Sequence, residues 1–451
     1  MCRIKQVAVA TLTAGLSFGP FASIDAMAQA AGATVLSPSL QAVSAPNSPG
    51  GYAPPDQPVP EGISVASRPR ADYLPIGGRI GSFFLYPELT VSGRYTDNVR
   101  ANDAVKFGDG SVRAAGGAQV VSGFGRHELR AGGWFNRTFF LNHSDENASQ
   151  YGGAVAGRAD LPGTTVWLKG TAERRVLPRE DFNSPSNSRS PLSYNRLEGS
   201  VDVERKIARF SVGAGASVAR LSYLNVVDDS GALIDQRWRD VSGSNFHGEL
   251  GYALNPAFRI IARGEYNLLS YALPASDPAQ PGGLDRDSHG WRMEGGVRVS
   301  FSRVVVGELR IGYLERTYDD PRLLATSGLS FHGDLLWKVT SLTSVRFNAD
   351  RRIEEAASTT AAGNRVTEFG VSVEHELMRN LIVTASGRHL HYQPLGPTLA
   401  GDDWVGRVGA RWLINRRFTG TLEYRRSSRD MSDITRDFVQ NAVTAGITLM
   451  L

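Results

Sequence analysis

From Ile80 to the C-terminus, apolar and polar residues alternate with a period of two, in one long run after another. Phe258, Ile260, Ala262, Gly264, Tyr266 and Leu268 stand opposite Arg259, Arg263, Glu265 and Asn267, with Ile261 the exception. Trp291, Met293, Gly295, Val297, Val299 and Phe301 oppose Arg292, Glu294, Arg298 and Ser300. Val305, Gly307, Leu309, Ile311 and Tyr313 oppose Glu308, Arg310 and Gly312. Trp404, Gly406, Val408, Ala410, Trp412 and Ile414 oppose Arg407, Gly409 and Arg411. A helix would scatter these charges around its axis, whereas a strand gathers them on one face. The pattern predicts eighteen strands, near 80–97, 111–123, 126–142, 149–161, 164–179, 192–208, 209–228, 234–254, 256–272, 286–302, 303–320, 324–339, 341–356, 364–378, 380–393, 402–415, 416–430 and 437–451, with sixteen as the alternative count.

The connections alternate too. They are tight at Leu161-Pro-Gly-Thr164, Leu254-Asn-Pro256, Ser302-Arg303 and Ile414-Asn-Arg416, and longer and polar at 98–110, 180–191, 273–285 and 394–401. Short turns at one end and long loops at the other are the habit of transmembrane barrels. Most of the runs exceed the roughly 9–11 residues that cross a bilayer as a tilted strand. A soluble sandwich rarely sustains strands this long, since its strands are nearer five or six residues, and a β-solenoid would show a tighter fixed repeat. The expected fold class is therefore all-β: a transmembrane up-and-down antiparallel barrel.

The last residues, Thr444-Ala-Gly-Ile-Thr-Leu-Met-Leu451, place Val443, Ala445, Ile447, Leu449 and Leu451 on one face, and Ala442, Thr444, Gly446, Thr448 and Met450 on the other. This resembles the terminal signal by which bacterial outer-membrane barrels reach their insertion machinery, with Thr444, Gly446, Leu449 and Leu451 as the residues that carry it. A terminal aromatic is more usual than Leu451.

The N-terminus agrees. A basic start, Met1-Cys-Arg-Ile-Lys5, precedes an apolar stretch from Val7 to about Ala22 and the small-x-small sites Ala26-Met-Ala28 and Ala28-Gln-Ala30. These predict a secretory signal peptide over 1–30. An uncleaved anchor fits less well, because the run is short and broken at Gly19-Pro20. Cleavage removes Cys2, the sole cysteine, so the mature chain has no disulfide and no Cys-ligated metal. Residues 31–78 are rich in Pro, Ser, Ala and Gly and lack periodicity, as a disordered periplasmic linker would. The barrel then spans 79–451. High glycine, with 49 residues, and the absence of a later long apolar run suit strands that face water at every second position. The net charge of +4 is too small on a chain of 451 residues to imply a nucleic-acid partner.

The lumen then carries the chemistry. The inner register holds Arg130, Arg175, Arg196, Arg259, Arg263, Arg292, Arg298, Arg310, Arg346, Arg352, Arg407, Arg411 and Arg425. It also holds Glu128, Glu173, Glu198, Asp202, Glu204, Glu249, Glu265, Glu294, Glu308, Asp334, Asp350, Glu368, Glu374, Glu376 and Glu423. Arginines can grip the carboxylates of a hydrophilic solute, or the two signs can brace the wall as cross-strand ion pairs. Their near balance favours bracing. Phe139, Phe140, Tyr151, Trp167, Tyr271, Trp337 and Trp412 are candidates for interfacial girdles, with stacking on sugars in the lumen as the alternative. His389 and His391 share one strand face but lack a third ligand in reach, and Asp228-Asp229 and Asp319-Asp320 lack EF-hand spacing. No Ser/His/Asp arrangement stands out. No enzyme activity, metal or cofactor is expected.

Gly81-Ser-Phe-Phe-Leu-Tyr-Pro-Glu-Leu89, Arg94-Tyr-Thr-Asp-Asn98 and Gly125-Arg-His-Glu-Leu129 resemble the opening hairpins of a family of outer-membrane β-barrel porins, type 2. The resemblance covers nearly all of the mature chain. It implies residence in the outer membrane of a Gram-negative bacterium, contact with lipid and lipopolysaccharide, and delivery by the barrel insertion machinery. Members often accompany exopolysaccharide synthesis, so it also implies a channel for exopolysaccharide export working with periplasmic export proteins. A general or solute-specific diffusion porin, and a plugged barrel with an assembly role, are the alternatives. The resemblance supplies no substrate-binding residues.

Overall fold

The computed structural model describes residues 63–301, 304–355, 363–394, 400–432 and 436–451. The expected signal peptide, and the expected linker as far as residue 62, lie outside the described residues. Eighteen long strands follow one another: β1 (Phe83–Thr96), β2 (Asp109–Ser122), β3 (Glu128–Phe140), β4 (Ala148–Leu161), β5 (Thr164–Val176), β6 (Ser193–Ile207), β7 (Phe210–Tyr223), β8 (Val241–Asn255), β9 (Phe258–Tyr271), β10 (Ser288–Phe301), β11 (Val305–Tyr318), β12 (Thr326–Lys338), β13 (Thr343–Glu355), β14 (Gly363–Met378), β15 (Leu381–Pro394), β16 (Gly401–Leu413), β17 (Phe418–Met431) and β18 (Phe438–Met450). Each pairs antiparallel with its neighbours in sequence, and β18 returns to β1 from Glu88↔Met450 to Thr96↔Ala442. The sheet closes on itself, as a barrel in lipid must to satisfy its backbone.

The burial pattern inverts that of a soluble protein. Leu197, Leu250, Met293 and Val408 are 59–65% exposed, whereas Glu294 and Arg310, on the opposite face of their strands, are 5% and 7% exposed. Apolar side chains therefore point out and charges point in, on the register that the alternation predicts.

The tight turns explain their residues. In the turn after β8, the Asn255 Oδ1 accepts from the N–H groups of Ala257 and Phe258 at 2.8 and 3.0 Å. After β16, Asn415 does the same for Arg417 and Phe418 at 2.8 and 2.9 Å. An asparagine mimics one backbone turn this way. Gly163 takes φ +70° between β4 and β5, where a side chain would be strained. Ala208 holds φ +52° in the corresponding turn between β6 and β7 without that freedom.

The opening of β1 would be a bare edge, because β18 begins to pair only at Glu88. A short strand, Gly78–Ile80, covers it by pairing with Phe83–Leu85.

Two expected strands were drawn too long. The stretches near 226–234 leave the barrel wall as a separate hairpin, Val226–Val227 against Leu233–Ile234. Local side-chain bonds cut the ladder: Asp228 accepts from the N–H groups of Ser230 and Ala232, and Asp240 takes the N–H of Tyr223 at 2.6 Å.

Candidate functional site

Two stretches of the lumen wall are unlike. Across β8–β13, inward arginines meet inward carboxylates of the same wall. Arg263 contacts Glu265 at 2.7 Å and Glu249 at 3.5 Å; Arg298 joins Glu249 at 3.1 Å and Glu308 at 2.5 Å. Arg310 bridges Glu294 at 3.0 Å and Glu308 at 2.7 Å, and Arg292 lies 4.0 Å from Glu265 and 3.9 Å from Glu294. Arg346 pairs with Asp334 at 2.6 Å. Arg352 holds Asp350, Glu354 and, on β14, Glu368 within 2.7–3.1 Å. Arg259 reaches Glu204 on β6 at 3.9 Å. Glu249, Glu265, Glu294 and Glu308 are each shared between strands, so the ladder fixes the wall and leaves little free charge.

Across β15–β17 the inner face is basic. Arg388, Arg407, Arg411, Arg425 and Arg429 face inward against Asp403 and Glu423. Arg407 stands directly opposite Arg425 in the register, and makes no ion pair among the described residues. Arg429 pairs with Asp403 at 2.6 Å. The charge balance read from the sequence holds for the lumen as a whole and hides this local excess.

The missing acid comes from the connection 177–192, which the sequence reading leaves as a polar outer loop. It folds inward from β5 and β6 and crosses to the far side of the ring. The Glu180 carboxylate sits 3.4 Å from both Arg94 on β1 and Arg425 on β17. Arg429 donates to the Glu180 carbonyl at 2.9 Å, and Arg436 to the Phe182 carbonyl at 2.6 Å. The Phe182 ring stacks on Tyr392 of β15 with centroids 4.5 Å apart, and both guanidiniums lie over it at 5.4 and 5.1 Å. β15 is eight strands round the ring from β5. Phe182 is thereby seated on an apolar patch of Val366, Leu390, Tyr392 and Met431 inside an otherwise charged lumen. The signal for this patch was a break in alternation, apolar residues on the inner register near the strand ends.

The root of the loop is anchored as well. Arg179 pairs with Glu146 at 2.7 Å and donates to Ser188 at 2.7 Å, and Leu177 donates to the Leu192 carbonyl at 2.7 Å. Burial opposes ionisation of Glu180, but Arg425 and Arg94 outweigh it and hold the carboxyl below its ordinary range. Burial pushes the Asp181 carboxyl up to about 6, outweighing the Asn183 N–H that it accepts at 2.8 Å and the charges of Arg429 and Arg239.

At the short-turn end a second segment enters the lumen. Residues 63–70, from the end of the expected linker, run along β13, β14 and β16. The Val65 N–H donates to Ser344 at 2.9 Å and that of Ala66 to Glu374 at 2.8 Å. Arg70 pairs with Glu376 at 2.6 Å, and Arg411 donates to the Ala66 carbonyl. This part of the stretch is an ordered strap, held by main-chain bonds that composition does not reveal.

The remaining expected residues fall as follows. Phe139, Tyr151, Trp337 and Trp412 are 42–53% exposed near strand ends, where a girdle would sit. Phe140, Trp167 and Tyr271 lie on the inner register. His389 and His391 face outward, and both meet Asp402, at 2.7 and 3.0 Å. Asp229 pairs with Arg100 at 3.0 Å and Asp320 with Arg322 at 2.6 Å. Thr444 and Gly446 face inward on β18, Leu449 outward, and Leu451 follows the strand.

A closed eighteen-strand barrel with an apolar exterior, a charged lumen and an inward-folded loop is an outer-membrane, porin-like channel. The chain belongs to the family described as Putative beta-barrel porin 2, whose model matches residues 70–451. That family and fold are those of channels rather than enzymes. Among solved structures, OpdK of Pseudomonas aeruginosa with vanillate is 11% identical, over 81% of this chain and 99% of that one, with a TM-score of 0.41. A BenF-like porin from Pseudomonas fluorescens Pf-5 is 13% identical over 81% and 99%, with a TM-score of 0.42. OccK2 (OpdF) of P. aeruginosa in complex with glucuronate is 11% identical over 81% and 98%, with a TM-score of 0.42. The search of curated proteins gives no match.

Proposed function

We propose that this channel resides in the outer membrane of a Gram-negative bacterium and passes an acidic exopolysaccharide outward. The observation that carries the reading is the basic strip on β15–β17, with Arg407 and Arg425 side by side and too few acids on the same wall. Guanidiniums bind carboxylates in fixed, often bidentate geometry, and a row of them offers a polyanion successive weak holds. Transport needs binding that is favourable enough to enter and weak enough to leave. The paired ladder on β8–β13 adds no further hold on its side of the path. The family resemblance points to the same substrate class. On this reading the chain works with periplasmic polysaccharide-export proteins and is inserted through the signal at its C-terminus.

A second reading, an inward diffusion porin for small acidic solutes, draws on the crossing loop, which narrows the lumen while it is docked. A planar-bilayer experiment separates the two. Export predicts that a uronate polymer blocks the current of the refolded full chain, that a neutral polymer of equal length blocks less, and that Arg407→Gln with Arg425→Gln abolishes the difference. A deletion strain that secretes polymer normally would overturn the export reading.

A further inference from the structure

The outward-facing arginines differ from the inward ones in a way the channel does not use. Arg174 on β5 and Arg220 on β7 point away from the lumen near the long-loop end. Neither forms an ion pair among the described residues. Asp240, whose charge reaches Arg220, is held by the Tyr223 N–H at 2.6 Å. Both arginines line one cleft of about 320 Å³ on the outer surface, together with Tyr151, Asn195 and Ser222. The cross-strand register explains the convergence: Tyr151↔Arg174, Arg174↔Asn195 and Asn195↔Ser222 form a single row. Directly beside it on the turn side, Leu197 pairs across to Arg220, and Leu197, Leu168 and Val218 are 56–60% exposed.

Two guanidiniums without an ion pair among the described residues, an amide and a hydroxyl thus sit at the upper border of the apolar band. On the lipid face an unpaired charge is costly at mid-membrane and tolerated only near the headgroups. Outward arginines elsewhere on the ring repeat the theme. Arg137 lies over Phe139 at 5.0 Å, Arg351 over Phe331 at 5.3 Å, and Arg426 donates to Asn441 at 3.1 Å, none of them to a carboxylate.

We infer that the cleft between Arg174 and Arg220 is a binding site for a phosphorylated glycolipid of the outer leaflet. The guanidiniums take the phosphate, Asn195 and Ser222 the sugar hydroxyls, and Leu197 and Val218 the root of an acyl chain. The inference rests on the barrel lying in the outer membrane and is independent of what the lumen carries.

Native mass spectrometry of the folded full chain in detergent tests it, with bisphosphorylated lipid A, dephosphorylated lipid A, phosphatidylglycerol and inorganic phosphate as separate probes. The expected result is retention of bisphosphorylated lipid A, with little of the other three. Arg174→Gln with Arg220→Gln should weaken retention by roughly tenfold per guanidinium, the scale of a charge-assisted hydrogen bond. Arg316→Gln, an inward change, should leave it unaltered. Equal retention by the double variant, or equal binding of dephosphorylated lipid A, would overturn the site. Phosphatidylglycerol binding as well as lipid A would reassign it to anionic lipid in general and likewise overturn the glycolipid inference. Unchanged single-channel conductance in the double variant confirms that its barrel is intact. Conductance that fails to be blocked by polymer bears on the export reading alone.

Discussion

The β8–β13 wall and the β15–β17 wall use the same residue type for different ends. On the first, Arg263, Arg298 and Arg310 are each held by two carboxylates of the same wall. On the second, Arg425 and Arg429 reach out of the wall to a loop that has crossed the lumen, and Arg411 reaches a strap from the other end. An inward arginine therefore says little until its partner is known. Held only by carboxylates of its own wall it is part of the wall; reaching the loop or the strap it is a mooring point, and Arg429 is both.

The strongest way to break the contrast is Arg429→Leu. It leaves Asp403 buried and unpaired, which costs about 3–5 kcal/mol, and it releases the Glu180 carbonyl. Reduced thermal stability of the barrel with a mobile loop, followed by limited proteolysis at 177–192, is the expected outcome. Phe182→Ala comes next. Removing a seated aromatic costs about 3 kcal/mol, here charged to loop docking rather than to the barrel, so single-channel conductance should rise while the melting temperature hardly moves. Unaltered conductance would mean that the loop does not narrow the path.

Charge neutralisation sharpens the same comparison. Arg407→Gln should shift ion selectivity toward cations, whereas Arg346→Gln, on the paired wall, should shift it far less; reversal potentials in a salt gradient measure both. Acidity should act on the loop side too. Because burial raises Asp181 to about 6, the docked loop binds a proton more readily than the free one. Through Asp181, docking weakens as pH rises from about 4 to about 6, whereas the Glu180 ion pairs, whose carboxyl is held below its ordinary range, are lost only at more acidic pH. Conductance should increase over that window and level off above it, and Asp181→Asn should flatten the change. The smallest effect belongs to the turn end, where Ala208→Gly relieves a left-handed backbone and should stabilise by up to about 1 kcal/mol. That gain is read by thermal unfolding, with conductance unchanged.

Most of the barrel was legible because its signal repeats. The alternation in β9–β11 gives strand, face and register together, and a slip of one residue would put Arg292 and Glu294 into lipid. The asparagines at 255 and 415 mark their turns by a local mechanism. The site was legible only in part. Phe182 is one aromatic in a polar loop, and what holds it, Tyr392, Arg429 and Arg436, lies more than 200 residues away. The strap at 63–70 is fastened by main-chain N–H and carbonyl groups, which every sequence has, beside the ion pair of Arg70 with Glu376. The charge excess on β15–β17 vanished in the sum over the lumen, and only grouping by wall separates it.

The loop's moorings also bear on how such channels diverge. Arg429 and Arg436 grip the carbonyls of residues 180 and 182, and a carbonyl is the same whatever side chain it carries. Mutational drift at Glu180 would change the charge presented at the crossing while the crossing stays where it is. A lineage can in this way retune what its pore admits by single substitutions in the loop, keeping the architecture of the opening as inherited.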